Sequence, residues 1–218
     1  MNKLRQSLLE PPSRIKRFLE NFHGKKAGLF IDSANWFYPQ KELGWKISYG
    51  KLINLLGRYC DLKSIYFYAG TPLNNNDRTK FVQFRKAIRE LGFTVITKPL
   101  KKIWTNKDKN KFDYKCNFDV EIALDVARHV DKIDIIIIGS GDSDFIEIKN
   151  FALEHGKQFT AICFEKGVAW EIRKLHHIFL EEIRHLLEHK KAPTISRGVN
   201  NKISISQNNS RSRRKRLQ

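Results

Sequence analysis

Apolar positions along this chain fall into two kinds of run that alternate. Short continuous runs, the signature of strands buried on both faces, occur at residues 27–31 (Ala27-Gly28-Leu29-Phe30-Ile31), 64–69, 93–97, 134–138 and 158–163. The fourth holds four consecutive isoleucines, Ile135 to Ile138, and is the strongest such signal. Between them lie patterns of helical period. Ser48 is placed to cap a helix carrying Leu52, Ile53, Leu55 and Leu56 on one face. Residues 76–91 predict a helix with Phe81, Phe84, Ile88 and Leu91 turned inward, closed by Gly92. Asp119 is read as the cap of a helix containing Ile122, Ala123, Val126 and Ala127, and residues 143–155 form another, closed by Gly156. A short helix at 169–175, an edge strand at 178–180 and a last helix at 181–188 complete the pattern. Strands alternating with helices in this way predict an α/β domain with a mainly parallel sheet.

Two flanking segments read differently. Leu4, Leu8, Leu9, Ile15, Phe18, Leu19 and Phe22 predict one or two short helices interrupted by Pro11-Pro12. From residue 189 onward there are nine Lys/Arg and no acid in a Ser/Asn-rich stretch, which buries too little surface to offset the entropy of ordering. We therefore expect three regions: a helical extension over residues 1–25, the α/β domain over 26–189, and a disordered basic tail over 190–218.

Charge changes the picture more than bulk composition does. Of 218 residues, 41 are Lys/Arg and 23 Asp/Glu, a formal charge of +18, so a polyanion is the expected partner. The tail, with Arg211, Arg213, Arg214, Lys215 and Arg216 at its end, is either a nucleic-acid tether or a solubilising end. An internal basic stretch interleaves Lys98, Lys101, Lys102, Lys107, Lys109, Lys111 and Lys115 with Trp104, Phe112 and Tyr114. That mixture suits single-stranded nucleic acid, where bases stack and phosphates pair; a solvated hairpin with one aromatic face turned inward fits it too. Three widely spaced cysteines, Cys60, Cys116 and Cys163, form neither a disulfide scaffold nor a zinc knuckle and suit a reducing cytosol. With no apolar run of membrane-spanning length and no uninterrupted apolar stretch near the start, a cytoplasmic location is expected.

In a parallel sheet the sites lie outside the carboxyl ends of the strands, and acids stand there. Asp32 ends the first strand, Asp142 and Asp144 follow the isoleucine strand in Gly139-Ser140-Gly141-Asp142-Ser143-Asp144, and Asp119 opens the helix leading into that strand. Like charges about 4 Å apart repel by roughly 1 kcal/mol in water and about 4 kcal/mol at an effective dielectric of 20. Four acids on one rim must therefore raise their pKa values or bind a cation. Oxygen ligands without His or Cys favour Mg²⁺ or Mn²⁺ over zinc, and in a basic protein such a pocket points to phosphodiester chemistry. Taken singly, Asp32, Asp119 and Asp142 each fit a helix cap, and the glycines around Ser140 fit a phosphate loop.

At these residues the sequence resembles the NYN-domain family of PIN-like metal-dependent nucleases. The matching pieces are Leu29-Phe30-Ile31-Asp32-Ser33-Ala34-Asn35, Asn117-Phe118-Asp119-Val120-Glu121-Ile122-Ala123-Leu124-Asp125 and Ile138-Gly139-Ser140-Gly141-Asp142-Ser143-Asp144-Phe145. The resemblance spans roughly residues 26–180. It implies a Rossmann-like three-layer α/β/α fold with strand order 3-2-1-4-5, plus room for one extra edge strand. It also implies a metal-dependent ribonuclease, most readily an endoribonuclease, acting on single-stranded RNA. By position Asp32, Asp119, Asp142 and Asp144 would bind the metal, Asn35 would orient water or phosphate, and Ser140 would fix the loop. Glu121 is a reserve ligand. Asp125, six residues beyond Asp119, is turned about 120° away from it at 3.6 residues per turn, so it is placed behind the ligands as the partner of a lysine. A homodimer is compatible with the family. The departure is at Lys115-Cys116-Asn117-Phe118, where many relatives carry Lys-Gly before a small apolar residue.

Two other motifs are decoys. His185-Leu186-Leu187-Glu188-His189 spells an inverted zinc-protease pattern without a third ligand close behind. Gly141-Asp142-Ser143-Asp144 also matches the late motif of haloacid-dehalogenase phosphatases, but Asp32-Ser33-Ala34 lacks their second nucleophile-loop acid. The rival of a different class is a nucleic-acid-binding or protein-docking module that uses the same fold without catalysis.

Overall fold

The computed structural model of the protein describes residues 10–106 and 111–189. Helix α1 (Ser13–Glu20) starts directly after the two prolines, where the missing N–H has no helical partner to lose. Its Ile15 and Leu19 are buried, and Arg14 holds Glu182 through two bonds of 2.7 and 2.8 Å. Strand β1 (Lys26–Asp32) then enters the centre of the sheet, followed by α2 (Ser33–Glu42) and α3 (Tyr49–Leu56). Strand β2 (Asp61–Thr71), helix α4 (Asn75–Glu90) and strand β3 (Thr94–Pro99) come next. A hairpin of β4 (Lys101–Asn106) and β5 (Lys111–Lys115) precedes α5 (Asp119–His129) and β6 (Ile135–Gly139). A 3-10 turn (Ser143–Phe145), α6 (Ile146–Glu154), β7 (Gln158–Cys163), α7 (Trp170–Arg173), β8 (His177–Phe179) and α8 (Arg184–Leu187) follow.

The main sheet has six strands in the order β3-β2-β1-β6-β7-β8, all neighbours parallel. This is the expected 3-2-1-4-5 arrangement with one added edge strand. Alternation along the strands divides the core into two halves. Leu29, Ile31, Ile135, Ile137 and Ile162 face Trp36, Leu52, Leu55, Leu56 and Ile88 from α2, α3 and α4. Phe30, Ile136, Ile138, Phe159 and Ala161 face Ile122, Val126, Ile148 and Ala152 from α5 and α6. The isoleucine run is continuous because both of its faces are covered, at about 1.5–3 kcal/mol per side chain buried. Gly92 and Gly156 stop α4 and α6 at φ +91° and +66°, where a side chain would be strained.

Several elements differ from the sequence reading. Residues 33–42 are helical although Ser33-Ala34-Asn35-Trp36-Phe37-Tyr38-Pro39 has no clean apolar period; only Trp36 is buried, held by a bond of 3.2 Å from its Nε1 to the Ile162 carbonyl. Helix α4 buries Ile88 but leaves Phe84 and Leu91 exposed, because it lies over the outermost part of the sheet beside β3. The expected helix over 143–155 opens with a 3-10 turn, and the last one divides into a 3-10 turn (Leu180–Ile183) and α8. Asp119 is the first residue of α5, and Phe118 occupies the cap. The early Leu4, Leu8 and Leu9, the loop Lys107 and Lys109, and the tail over 190–218 with Arg211, Arg213, Arg214, Lys215 and Arg216 lie outside the described residues. Among the described residues no helix is long and apolar enough to cross a membrane.

Candidate functional site

Parallel strands β1 and β6 lie side by side, with Ile31 opposite Gly139, so the residues just beyond them share one edge. The packing there leaves no slack. A Cβ on Gly139 would lie 2.9 Å from Ile31 Cγ1 and 3.0 Å from Trp36 Cζ2. Asp32 caps α2, its Oδ1 accepting the Ala34 N–H at 3.1 Å. Asp142 caps the following 3-10 turn, its Oδ1 accepting the Asp144 N–H at 3.2 Å. The two loops are tied together by Asn35, whose Oδ1 accepts the Gly141 N–H at 2.9 Å. Ser140, fully buried, accepts the Asp142 N–H on its Oγ at 3.3 Å. Each loop thus fixes the other, and the capping role of an aspartate coexists with its place on the rim.

Asp119 arrives from a third segment. Asn117, two residues ahead, accepts the Asp119 N–H at 2.8 Å and donates from Nδ2 to Asp119 Oδ2, which fixes the carboxylate's orientation. Lys98, at the end of β3, donates to the Asn117 carbonyl at 3.3 Å and forms an ion pair with Glu121. Sequence reasoning gave Asn117 no role, although the residue opens one of the pieces matching the family and also stands within the departure from its pattern. An amide two residues before an acid at a helix start was the available signal.

The electrostatics report how near these acids lie to one another. Burial, reinforced by the charges of Asp119 and Asp142 and opposed by the Ala34 N–H, pushes the Asp32 carboxyl up from 3.8 to about 6. Asp119 is also raised, first by burial and then by Asp142, Asp144 and Glu121, against the lowering hydrogen bond from Asn117. Glu121 is lowered by its bond to Lys98. Among the described residues no ion pair reaches Asp32, Asp119, Asp142 or Asp144. Four carboxylates therefore share one field, with no ion pair to any of them among the described residues.

The donor set matches a hard divalent ion in its chemistry: carboxylate oxygens, no thiolate and no imidazole. Among the described residues no three acidic, His or Cys side chains are already drawn together tightly enough to hold one. A divalent cation between such carboxylates would offset their mutual repulsion.

Asp125 is corrected in its partner. It is buried on α5, accepts the Tyr68 hydroxyl at 2.9 Å and pairs with Arg128 at 2.8 Å; among the described residues no lysine forms an ion pair with it. Tyr68 is pushed well up by burial and by the Asp125 charge, so it stays a donor. The zinc-like decoy also dissolves. Helix α8 ends before His189, Glu188 pairs with Arg184 at 2.9 Å, and His185 Nε2 lies 3.1 Å from the Glu10 carbonyl. A cleft of about 340 Å³ beside α1, lined by Arg14, Arg17, Phe18 and Asn21, contains none of the rim acids.

The β4–β5 hairpin stands immediately before Asn117. Its pairing of Lys102 with Tyr114 and Trp104 with Phe112 puts these four on one face. Lys102 Nζ lies 3.8 Å from the Phe112 ring centre and 4.5 Å from that of Trp104. Trp104 and Tyr114 are 46% and 42% exposed, so this aromatic face is open rather than turned inward. Lys101 and Lys115 are opposite each other on the other face, and the side chain of Lys111 is outside the described atoms.

A three-layer parallel α/β sheet whose central strand tips converge on acids is a nuclease-like fold. The chain belongs to the NYN-domain family, whose model matches residues 26–183. It is 28% identical over 176 residues to the low amplitude and bright protein LabA of Synechococcus elongatus, a match covering 79% of this chain and 92% of that protein. Among solved structures it is similar to a protein of unknown function from Vibrio parahaemolyticus, with a TM-score of 0.58 and 22% identity over 72% of this chain and 94% of that one. This last likeness concerns the fold alone.

Proposed function

We propose that the protein is a metal-dependent ribonuclease whose acidic rim binds Mg²⁺ or Mn²⁺ and whose basic, aromatic hairpin holds single-stranded RNA. The observation that carries this reading is the gathering of Asp32, Asp119, Asp142 and Asp144 on one rim, where burial, reinforced by the charges of their acidic neighbours, raises the first two carboxyls. These four would hold the ion, which when bound supplies an activated water and charge stabilisation at the phosphate. Asn117 aims Asp119, while Asn35 and Ser140 hold the two loops that carry Asp32, Asp142 and Asp144. With its oxygen bonded to Gly141, Asn35 has its amide N–H groups to offer to a water or phosphate. Lys101, Lys102 and Lys115 would pair with phosphates, Trp104 and Tyr114 would stack on bases, and Lys107, Lys109, Lys111 and the tail arginines would extend the basic track. Glu121, engaged by Lys98, is a secondary group.

The second reading is a nucleic-acid-binding module without catalysis. It is favoured by one observation, that among the described residues no three acidic, His or Cys side chains are clustered for an ion. Incubation of the purified protein with single-stranded RNA and either metal separates the two. The ribonuclease reading expects Mg²⁺- or Mn²⁺-dependent cleavage, lost in Asp142→Asn while RNA binding persists. Binding without cleavage under either metal supports the module.

A further inference from the structure

Beyond the rim acids and the hairpin, one exposed aromatic stands out by its position. Trp170 is 66% exposed, and its neighbour Ala169 donates its N–H to the Gly141 carbonyl at 2.9 Å, on the loop that carries Asp142. A Cβ on Gly141 would lie 3.2 Å from Val168 Cα, so this loop and the segment leading to Trp170 are in direct contact. Helix α7, which begins with Trp170, packs on the turn Ser143–Phe145 that contains Asp144. Lys174 Nζ lies 4.8 Å from the centre of the Trp170 ring. An open indole with an ammonium group beside it is a base-stacking surface with a phosphate partner.

Sheet order places this pair opposite the hairpin. The hairpin follows β3, Asp32 and Asp142 follow the central β1 and β6, and α7 follows β7. Four inter-strand steps separate β3 from β7, about 19 Å at roughly 4.8 Å each. The acids therefore stand between two aromatic-and-lysine surfaces along one edge of the sheet.

We propose that Trp170 and Lys174 form a second single-stranded RNA subsite, in which Trp170 stacks on a nucleobase and Lys174 pairs with a neighbouring phosphate. The strand then runs along the sheet edge from the hairpin, over the carboxylates, to Trp170. This assignment rests on the proposed ribonuclease reading for the identity of the polymer, and it locates where the strand leaves the rim.

The test uses the full chain in EDTA, so that stacking is read without cleavage. Of the four tryptophans, Trp36 and Trp45 are buried, so in a Trp104→Phe background Trp170 is the exposed reporter. A single-stranded RNA oligonucleotide is expected to quench its emission, and an abasic strand of the same length is not. Trp170→Ala should weaken RNA binding by about 5- to 150-fold, the range of one lost base stack, with Trp170→Phe recovering most of it. Lys174→Gln should flatten the dependence of log affinity on log salt by about 0.7. RNA binding with no quenching and an unchanged affinity in Trp170→Ala overturns the subsite, and leaves the ribonuclease reading to its own cleavage assay. Failure of the parent protein to bind RNA at all overturns both.

Discussion

Replacing Asp32 by Asn should stabilise the ion-free protein while removing its response to metal. In the folded chain this carboxyl is pushed from 3.8 to about 6, and a displacement of that size corresponds to about 3 kcal/mol at roughly 1.4 kcal/mol per pH unit. Asp32 is partly open to solvent, which trims the effect to about 1–3 kcal/mol. The sign follows from linkage. The folded state binds the proton more tightly than the unfolded one, so the group's contribution is full below 3.8 and is lost as pH rises through about 6. At neutral pH the parent thus carries an ionised, half-buried acid that costs it stability, and Asn does not. Asn also keeps the side-chain oxygen that accepts the Ala34 N–H. Urea denaturation in EDTA should show Asp32→Asn more stable than the parent at neutral pH, with the gap closing as pH falls from about 6 toward 3.8. Added Mg²⁺ should reverse the ranking, since a ligand at 100 times its Kd adds about 2.7 kcal/mol to the protein that binds it. A variant less stable than the parent at neutral pH, or a gap indifferent to pH, refutes the reasoning.

Other perturbations separate the roles of neighbouring groups. Tyr68→Phe removes the hydrogen bond to buried Asp125 and should cost about 1–3 kcal/mol in urea denaturation, with cleavage per folded molecule unchanged; a loss of cleavage without a loss of stability would return Asp125 to the rim. Deleting residues 196–218 removes seven Lys/Arg, and should weaken RNA affinity at low salt and flatten its salt dependence. Equal affinity in a filter-binding series would mark the tail as a solubilising end.

The parts of the fold legible in the sequence are those where one force dominates. Two-sided burial makes Ile135 to Ile138 read as a central strand, and Gly92 and Gly156 mark helix ends because the chain turns there through positive φ. Helix α2 was hidden because its one buried side chain, Trp36, is anchored across the sheet to Ile162, while Phe37 and Tyr38 face solvent. The burial of Phe84 and Leu91 was over-read because helical period does not say how much sheet lies beneath the outer helix. At the site, the acids were visible as residues at strand ends. The family resemblance singled out Asn35 and Ser140 among their supports, but not the long-range bonds: that of Asn35 to Gly141 spans 106 positions, that of Tyr68 to Asp125 spans 57, and no local pattern encodes either. Asn117 was local, yet its meaning depends on how its side chain folds back on Asp119.

The central claim is that aspartates from three separate segments bind one divalent cation together. A crystal of the protein equilibrated with Mn²⁺, examined for anomalous scattering, tests it most directly. The account predicts a manganese peak bounded by carboxylate oxygens of Asp32, Asp119 and Asp142, with Asp144 bound directly or through water. A saturated crystal with no peak there, or with the four side chains still apart, would contradict it.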